Sequence, residues 1–245
     1  MKKLVSAILA LCLLAALVPG LAEDDITGVW YLNHAVTQGI SMRVISDEIQ
    51  MTMTFREDGT ATLFSALPGQ EPQNAEATWT YADGVVTVTE KTEGAPVTEV
   101  KYENGELSVE AGGATMFLTR ETYTPYEQPA AVKAESVEAF YGTWYPEVSF
   151  QYGMMAFLGD ALAVEDRSRL DISAEGMTET ANDGTVTVYN NPAVDPETGA
   201  LSAVFDVQGF EATIQLTLLE DGSMLVTGSI YDMELMRSIY YRLGE

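Results

Sequence analysis

The chain has 245 residues, of which 37 are acidic and 12 are basic, and its formal net charge is −25. A surface this negative excludes nucleic acid and anionic lipid as partners, because both are bound through basic side chains. One cysteine and one histidine also exclude a disulfide framework and a structural zinc site of the usual kinds. Solubility outside the cell is the favoured explanation of the charge, and binding of cations or attraction to basic partners is the alternative.

The N-terminal segment has the features of a secretory signal peptide. A basic start, Met1-Lys2-Lys3, precedes an apolar stretch and a small-residue site that ends at Ala22. The stretch is shorter than the roughly 20 apolar residues of a membrane span. We therefore expect residues 1–22 to be removed and the protein to be secreted. Cys12 follows a sequence like a bacterial lipobox, but Leu11 is larger than the residue expected there, so we do not expect a lipid anchor.

Two long segments of the chain begin and end alike. Residues 26–31, Ile-Thr-Gly-Val-Trp-Tyr, are similar to residues 140–145, Phe-Tyr-Gly-Thr-Trp-Tyr. Each start is followed by strand-like sequence that closes on an aromatic-rich stretch with an arginine, Arg120 in one segment and Arg242 in the other. Self-similarity of this kind predicts a repeated structural unit.

The segment between the repeats predicts a linker. Residues 123–135 contain two prolines, several alanines and no clear period. We therefore divide the chain into a first domain, residues 23–122, and a second domain, residues 136–245, joined by this linker.

The first repeat has the pattern of short antiparallel strands. Apolar residues alternate with polar ones from Ile49 to Phe55, a period of two that is typical of a half-buried strand. Tight turns are predicted at Asp58-Gly59, Asp83-Gly84 and Asn104-Gly105, since glycine accepts a positive φ. Turn signals at this spacing predict about eight strands in a sandwich or barrel.

The second repeat follows the same pattern but differs in its first loop. Its predicted turns are Asp183-Gly184, Gln208-Gly209 and Asp221-Gly222. Apolar residues between Met154 and Leu162 fall at helical spacing. They predict one short amphipathic helix before the later strands.

The order of these motifs resembles small bacterial extracellular lipocalin-like domains of the calycin group. The resemblance rests on a Gly-x-Trp first strand, Asp58-Gly59-Thr60, Trp79, Asn104-Gly105-Glu106-Leu107, and an aromatic end with Arg120. It covers nearly all of the first repeat and, more loosely, the second. It implies an all-β protein of two tandem antiparallel up-and-down barrels, each of about eight strands.

In this family the tryptophan and the arginine have structural roles. The first and last strands of a closed barrel are neighbours, so the resemblance implies that Trp30 meets Arg120 and that Trp144 meets Arg242. A guanidinium stacked on an indole would close one end of each barrel.

No motif in the chain predicts catalysis, a metal site or a cofactor. His34 is the one histidine, and no Gly-x-Ser-x-Gly nucleophile motif accompanies it. No segment matches the calcium-binding loop of an EF-hand. We therefore expect a protein that is not an enzyme.

Three functional hypotheses follow from different features. The first is a secreted non-enzymatic binding protein that holds a small apolar ligand in one or both barrels, with the first loop as a lid. The residues expected to line its pocket are Met51, Met53, Phe55, Met154, Phe157 and Leu158. The second is an interaction module whose filled barrels contact another extracellular macromolecule. A third is a secreted hydrolase that uses a pair of carboxylates, since such pairs are defined by distance in space.

Overall fold

The structure, a computed structural model, describes residues 25–92, 94–95, 97–231 and 233–242. The predicted signal peptide, residues 1–22 with Cys12 and the cleavage after Ala22, lies outside these described residues. Regular structure in the described part of the chain is almost entirely β-strand, which confirms the predicted all-β class.

The first half of the chain forms a closed barrel. The strands of this half are β1 (Gly28–Thr37), β2 (Ile40–Val44), β3 (Gln50–Phe55), β4 (Thr60–Ala66), β5 (Gln73–Ala82), β6 (Val85–Glu90), β7 (Val97–Glu103), β8 (Glu106–Ala111) and β9 (Ala114–Thr119). All of them except β2 belong to the barrel. From β3 to β9 each strand pairs antiparallel with the next, and both β3 and β9 pair with β1. A closed antiparallel barrel of eight strands is therefore confirmed.

The second half repeats this order of elements. They are β10 (Ala131–Val132), β11 (Gly142–Gln151), β12 (Met154–Phe157), α1 (Leu158–Ala161), β13 (Arg169–Ser173), β14 (Gly176–Thr180), β15 (Val186–Val194), β16 (Leu201–Val207), β17 (Phe210–Leu219), β18 (Met224–Ile230) and β19 (Met233–Arg242), with 3-10 turns at Val137–Phe140 and Val164–Asp166. Neighbours from β13 to β19 pair antiparallel, and both β13 and β19 pair with β11. Strand β10, within the predicted linker, pairs with β17.

The pairing register matches between the halves. Gly28 faces Phe55 in the first half, and Gly142 faces Ile172 in the second. The pairing of β1 with β9 shifts between Leu32 and His34, and that of β11 with β19 shifts between Pro146 and Val148. The first strand of each half therefore has a bulge at the same position, and a bulge bends the strand that contains it.

Each half has its own apolar core, made by the alternation of inward and outward residues along every strand. The first core includes Ile26, Trp30, Phe55, Val100, Leu107 and Leu118, and the second includes Phe140, Trp144, Leu170, Met177, Leu201 and Leu216. Strand β3 illustrates the cause: Met53 and Phe55 are buried, whereas Thr52 and Thr54 between and beside them are only partly covered.

The prediction of an amphipathic helix in the first loop of the second half is wrong for much of that segment. Tyr152 and Gly153 have positive φ values of 49° and 74° and form a two-residue turn, so the chain returns as strand β12. The helix begins only at Leu158 and ends at Ala161. In a strand, Met154 and Phe157 point to opposite faces, so helical spacing placed them wrongly on one face.

The first connections of the two halves are arms that pair with each other. Strand β2 pairs antiparallel with β12, with Val44 opposite Met154 and Met42 opposite Ala156. The backbone N–H of Ile45 donates to the carbonyl of Gly153 at 3.0 Å. Each arm would otherwise present an unpaired strand edge, so each edge is covered by the other half.

Candidate functional site

One end of the first barrel is closed by the tryptophan of its first strand. The indole N–H of Trp30 donates to the carbonyl of Ile26 at 2.9 Å. The guanidinium carbon of Arg120 lies 3.9 Å from the centre of the indole ring, and the guanidinium also donates to the carbonyl of Asp25. Gly28 allows this approach, because a Cβ at that position would lie 2.8 Å from an Arg120 nitrogen.

The second half has the same cap. Trp144 donates to the carbonyl of Phe140 at 2.9 Å, and the guanidinium carbon of Arg242 lies 4.4 Å from the indole ring centre. Arg242 also donates to the carbonyl of Ala139 at 2.8 Å. The structure therefore places both tryptophan–arginine pairs where the resemblance implies them.

The opposite end of the first barrel holds an open cavity of about 360 Å³, called here the mouth cavity. It is lined by residues from seven strands, β3 to β9, and most of them face the interior of the barrel. Its apolar lining residues include Met51, Met53, Leu63, Ala75, Val109 and Met116, and its polar ones include Ser65, Gln73, Asn74, Glu90 and Thr98. Larger side chains at these positions would have filled the barrel to its rim.

A smaller pocket of about 200 Å³ lies beside the mouth cavity. It forms where the upper part of β1 leaves β3 and turns towards the arm β2. Leu32, Ile49, Tyr31 and Tyr123 are among the residues that line it. Met51 and Thr52 line both this pocket and the mouth cavity, so the two spaces adjoin along strand β3.

The corresponding space in the second half is occupied by its own side chains. Register places Glu179 where the first barrel has Leu63, and Tyr189 where it has Ala77. The Tyr189 hydroxyl donates to Glu179 Oε2 at 2.7 Å, and the Tyr240 hydroxyl donates to Oε1 at 3.5 Å. Both phenols are buried, and the Tyr189 ring also contacts Phe205 at 5.0 Å between centroids.

Burial and the neighbouring carboxylate affect the acidity of this cluster. Burial, and then the charge of Glu179, raise the pKa of Tyr189 well above its usual range. The same two causes, in the same order, raise the pKa of Tyr240. Both phenols therefore stay protonated as hydrogen-bond donors, and they hold the Glu179 carboxylate inside the second half.

The structure brings only part of the predicted pocket together. Met51 and Met53 line the mouth cavity. Phe55 lies deeper, in the closed end, where its ring packs against Trp79 at 5.3 Å between centroids. Sequence reasoning missed Leu63, Val109 and Met116, although the inward alternation of their strands was the available signal.

The other three predicted residues, Met154, Phe157 and Leu158, belong to the second half. Met154 and Phe157 lie on the arm β12, and Leu158 begins α1. The Phe157 ring meets the guanidinium of Arg43 from the first half, 5.9 Å from the ring centre. These residues therefore take part in the joint between the arms, and they do not line the mouth cavity.

A buried arginine that sequence reasoning missed holds the segment after the second arm. Arg167 donates to Glu147 Oε1 at 2.6 Å and to the carbonyls of Gly159 and Leu162 at 2.7–2.9 Å. A Cβ on Gly159 would collide with the Glu147 carboxylate. This contact network fixes α1 against the bulge of β11. A single arginine in a short acidic loop was the only signal for it.

Metal chemistry and catalysis receive no specific support from the described side chains. No group of three or more His, Cys, Asp or Glu residues in this part of the chain is placed to hold a metal ion. His34 stacks on Phe117, with 4.4 Å between ring centroids. Within the described residues, no helix has the length and apolar character required to cross a membrane.

Comparisons of the sequence with protein-family models and with curated proteins gave no match. The candidate site therefore rests on the geometry of the mouth cavity alone.

Proposed function

We propose that the protein is a secreted, non-enzymatic binding protein made of two tandem lipocalin-like barrels, and that the first barrel holds a small apolar ligand. The mouth cavity is the observation that carries this proposal. Its volume of about 360 Å³ falls within the range of sites for small molecules. Its methionines can repack around ligands of different shape.

The closed end of the first barrel supports the same proposal. Trp30 is 1 % exposed and sealed by Arg120, so a ligand would enter from the mouth alone. Buried core residues, including Val100 and Leu107, lie between Trp30 and the mouth cavity. They form the apolar floor of this cavity. An apolar molecule placed on this floor would be removed from water on most sides, which supplies roughly 25 cal/mol per Å² of buried apolar area.

We propose a different role for the second barrel, residues 136–245. The Glu179, Tyr189 and Tyr240 cluster occupies the space that is open in the first barrel. We propose that this barrel supports the first through the paired arms. The domain division 23–122 and 136–245 belongs to this proposal.

A neutral fluorescent dye tests the proposed site. Nile red should bind the intact secreted protein at one saturable site, with enhanced and blue-shifted emission. Ala75→Trp should weaken this binding about tenfold or more, because the indole would occupy the mouth cavity. Thr187→Trp, at the position that pairs with Glu179 as Ala75 pairs with Leu63, is the matched control. It should leave dye binding unchanged, and equal binding by wild type and Ala75→Trp would refute the proposal.

A second candidate function, contact with another extracellular macromolecule, is favoured by one surface. Large apolar side chains are exposed on neighbouring strand tips of the second half: Phe210, Tyr231, Met233 and Leu235. The rings of Phe210 and Tyr231 contact each other edge to face, with 6.3 Å between centroids. Failure of the dye to bind, together with loss of a co-purifying macromolecule in Tyr231→Ser, would favour this function over ligand binding.

A further inference from the structure

The mouth cavity contains one ionisable side chain, Glu90, among the residues that line it. Glu90 is the last residue of β6, whose inward side also carries Val86 and Val88. Those valines are at most 1 % exposed, and Ala77, the cross-strand partner of Glu90, is fully buried. Residues two apart in a strand share a face, so the Glu90 side chain points into the barrel.

The Glu90 carboxylate has no hydrogen-bond or ion-pair partner within the described residues. The ion pairs in this part of the chain are Arg167 with Glu147 and Arg169 with Asp171, both in the second half. The polar side chains that share the cavity with Glu90, including Thr98 and Gln73, carry no charge. A half-buried carboxylate of this kind is stabilised by a cation that a ligand brings.

We infer that the ligand class of the mouth cavity is a cationic amphiphile, with a short apolar chain and an ammonium group. The chain would lie on Met53, Leu63 and Met116, and the ammonium group would pair with Glu90 at the rim. This inference rests on the proposed function. The net charge of −25 favours the approach of such a molecule and disfavours a fatty acid of the same length.

Three eight-carbon compounds separate the contribution of the head group from that of the chain. Octylammonium, octanol and octanoate should each be titrated against the Nile red complex of the intact protein at low ionic strength. Wild type should bind octylammonium about fivefold more tightly than octanol, with octanoate weakest, because a partly exposed ion pair gives this order of preference. Glu90→Gln should remove most of the difference between octylammonium and octanol, because only the weaker attraction of the general negative charge remains. The affinity for octanol should stay unchanged.

A matched variant controls for the general negative field. Glu99 lies on β7 beside Thr98 but points outward, where it is exposed. Glu99→Gln removes the same charge from the outer face and should keep the preference for octylammonium.

Two results overturn the inference while the proposed function stands. The first is equal affinity of wild type for octylammonium and octanol, and the second is equal loss of preference in Glu90→Gln and Glu99→Gln. Failure of Nile red and of all three compounds to bind wild type would refute the proposed function itself.

Discussion

Trp30 and Trp144 show how one residue pair organises each half of the molecule. Each indole donates to the carbonyl of the residue four positions earlier and lies under an arginine at the C-terminal end of its half, Arg120 just after β9 and Arg242 at the end of β19. This contact was expected only from the resemblance to lipocalin-like domains, in which the first and last strands of a closed barrel are neighbours. The sequence could not predict which interior residues leave space, because that depends on side chains from seven different strands.

The Glu179 cluster leads to a prediction about alkaline stability. The pKa of Tyr189 is raised in the folded protein by burial and by Glu179, whereas in the unfolded chain it is about 10. The unfolded state therefore releases its proton first, so this contribution to stability is complete below about pH 10 and is lost as the pH rises above that value.

Tyr189→Phe should make the free energy of unfolding less dependent on pH between about pH 9 and 11, as measured by urea unfolding. It should also lower stability at neutral pH by about 1 kcal/mol, because Glu179 loses a hydrogen bond. Tyr231→Phe, which removes an exposed hydroxyl, is the control and should change neither quantity. An unaltered pH dependence in Tyr189→Phe would contradict the role assigned to this cluster.

At the scale of secondary-structure elements, the arms were the main feature that the sequence did not predict. Local signals found the turns at Asp58-Gly59 and Asp183-Gly184, because two or three residues determine a turn. Pairing of β2 with β12 joins segments more than 100 residues apart, and no local pattern reports it. The helical spacing of apolar residues from Met154 to Leu162 was misleading. The turn at Tyr152 and Gly153, with its positive φ values, sends the chain back as strand β12 instead.

Equivalent turn glycines in the two arms test this joint. Gly39 and Gly153 have φ values of +83° and +74° at the same position of their hairpins. A Cβ on Gly39 would meet nothing within 4 Å, whereas one on Gly153 would lie 2.6 Å from Ser46 Oγ and 3.0 Å from Glu48 Cβ. Of these two turns, only the one at Gly153 is packed against the other half.

Asparagine tolerates positive φ, so replacing either glycine with asparagine adds a similar, small backbone strain. A difference in stability between the two variants then reports the packing of the added side chain. Gly153→Asn should lower the free energy of unfolding by about 1 kcal/mol more than Gly39→Asn, because its side chain must displace the loop at Ser46. Thermal and urea unfolding of both variants measure the difference. Equal losses in the two variants would show that the arms do not pack together as described.

At the scale of the whole molecule, the two halves meet as the subunits of a symmetric dimer do. Met42 faces Ala156, and these two residues occupy equivalent positions in their arms. Arg43 faces Met155 on one side of this pair, and Ser41 faces Phe157 on the other. Ser41 is equivalent to Met155 and Arg43 to Phe157, so the register is symmetric about the central pair. A contact of this kind is isologous, with the same surface used by both partners. The two halves differ inside, where the first has space and the second has a polar cluster.

Methionine methyl NMR tests the central claim, that the mouth of the first barrel is a binding cavity, most directly. The protein contains 11 methionines, and they report on both halves in a single spectrum. Met51, Met53 and Met116 line the mouth cavity, whereas Met177 and Met224 lie in the core of the second half. On titration with octylammonium, the methyl signals of the first three should shift together and saturate, and those of Met177 and Met224 should stay in place. Saturating binding that leaves the mouth methionines unshifted, or no binding at all, would contradict the account.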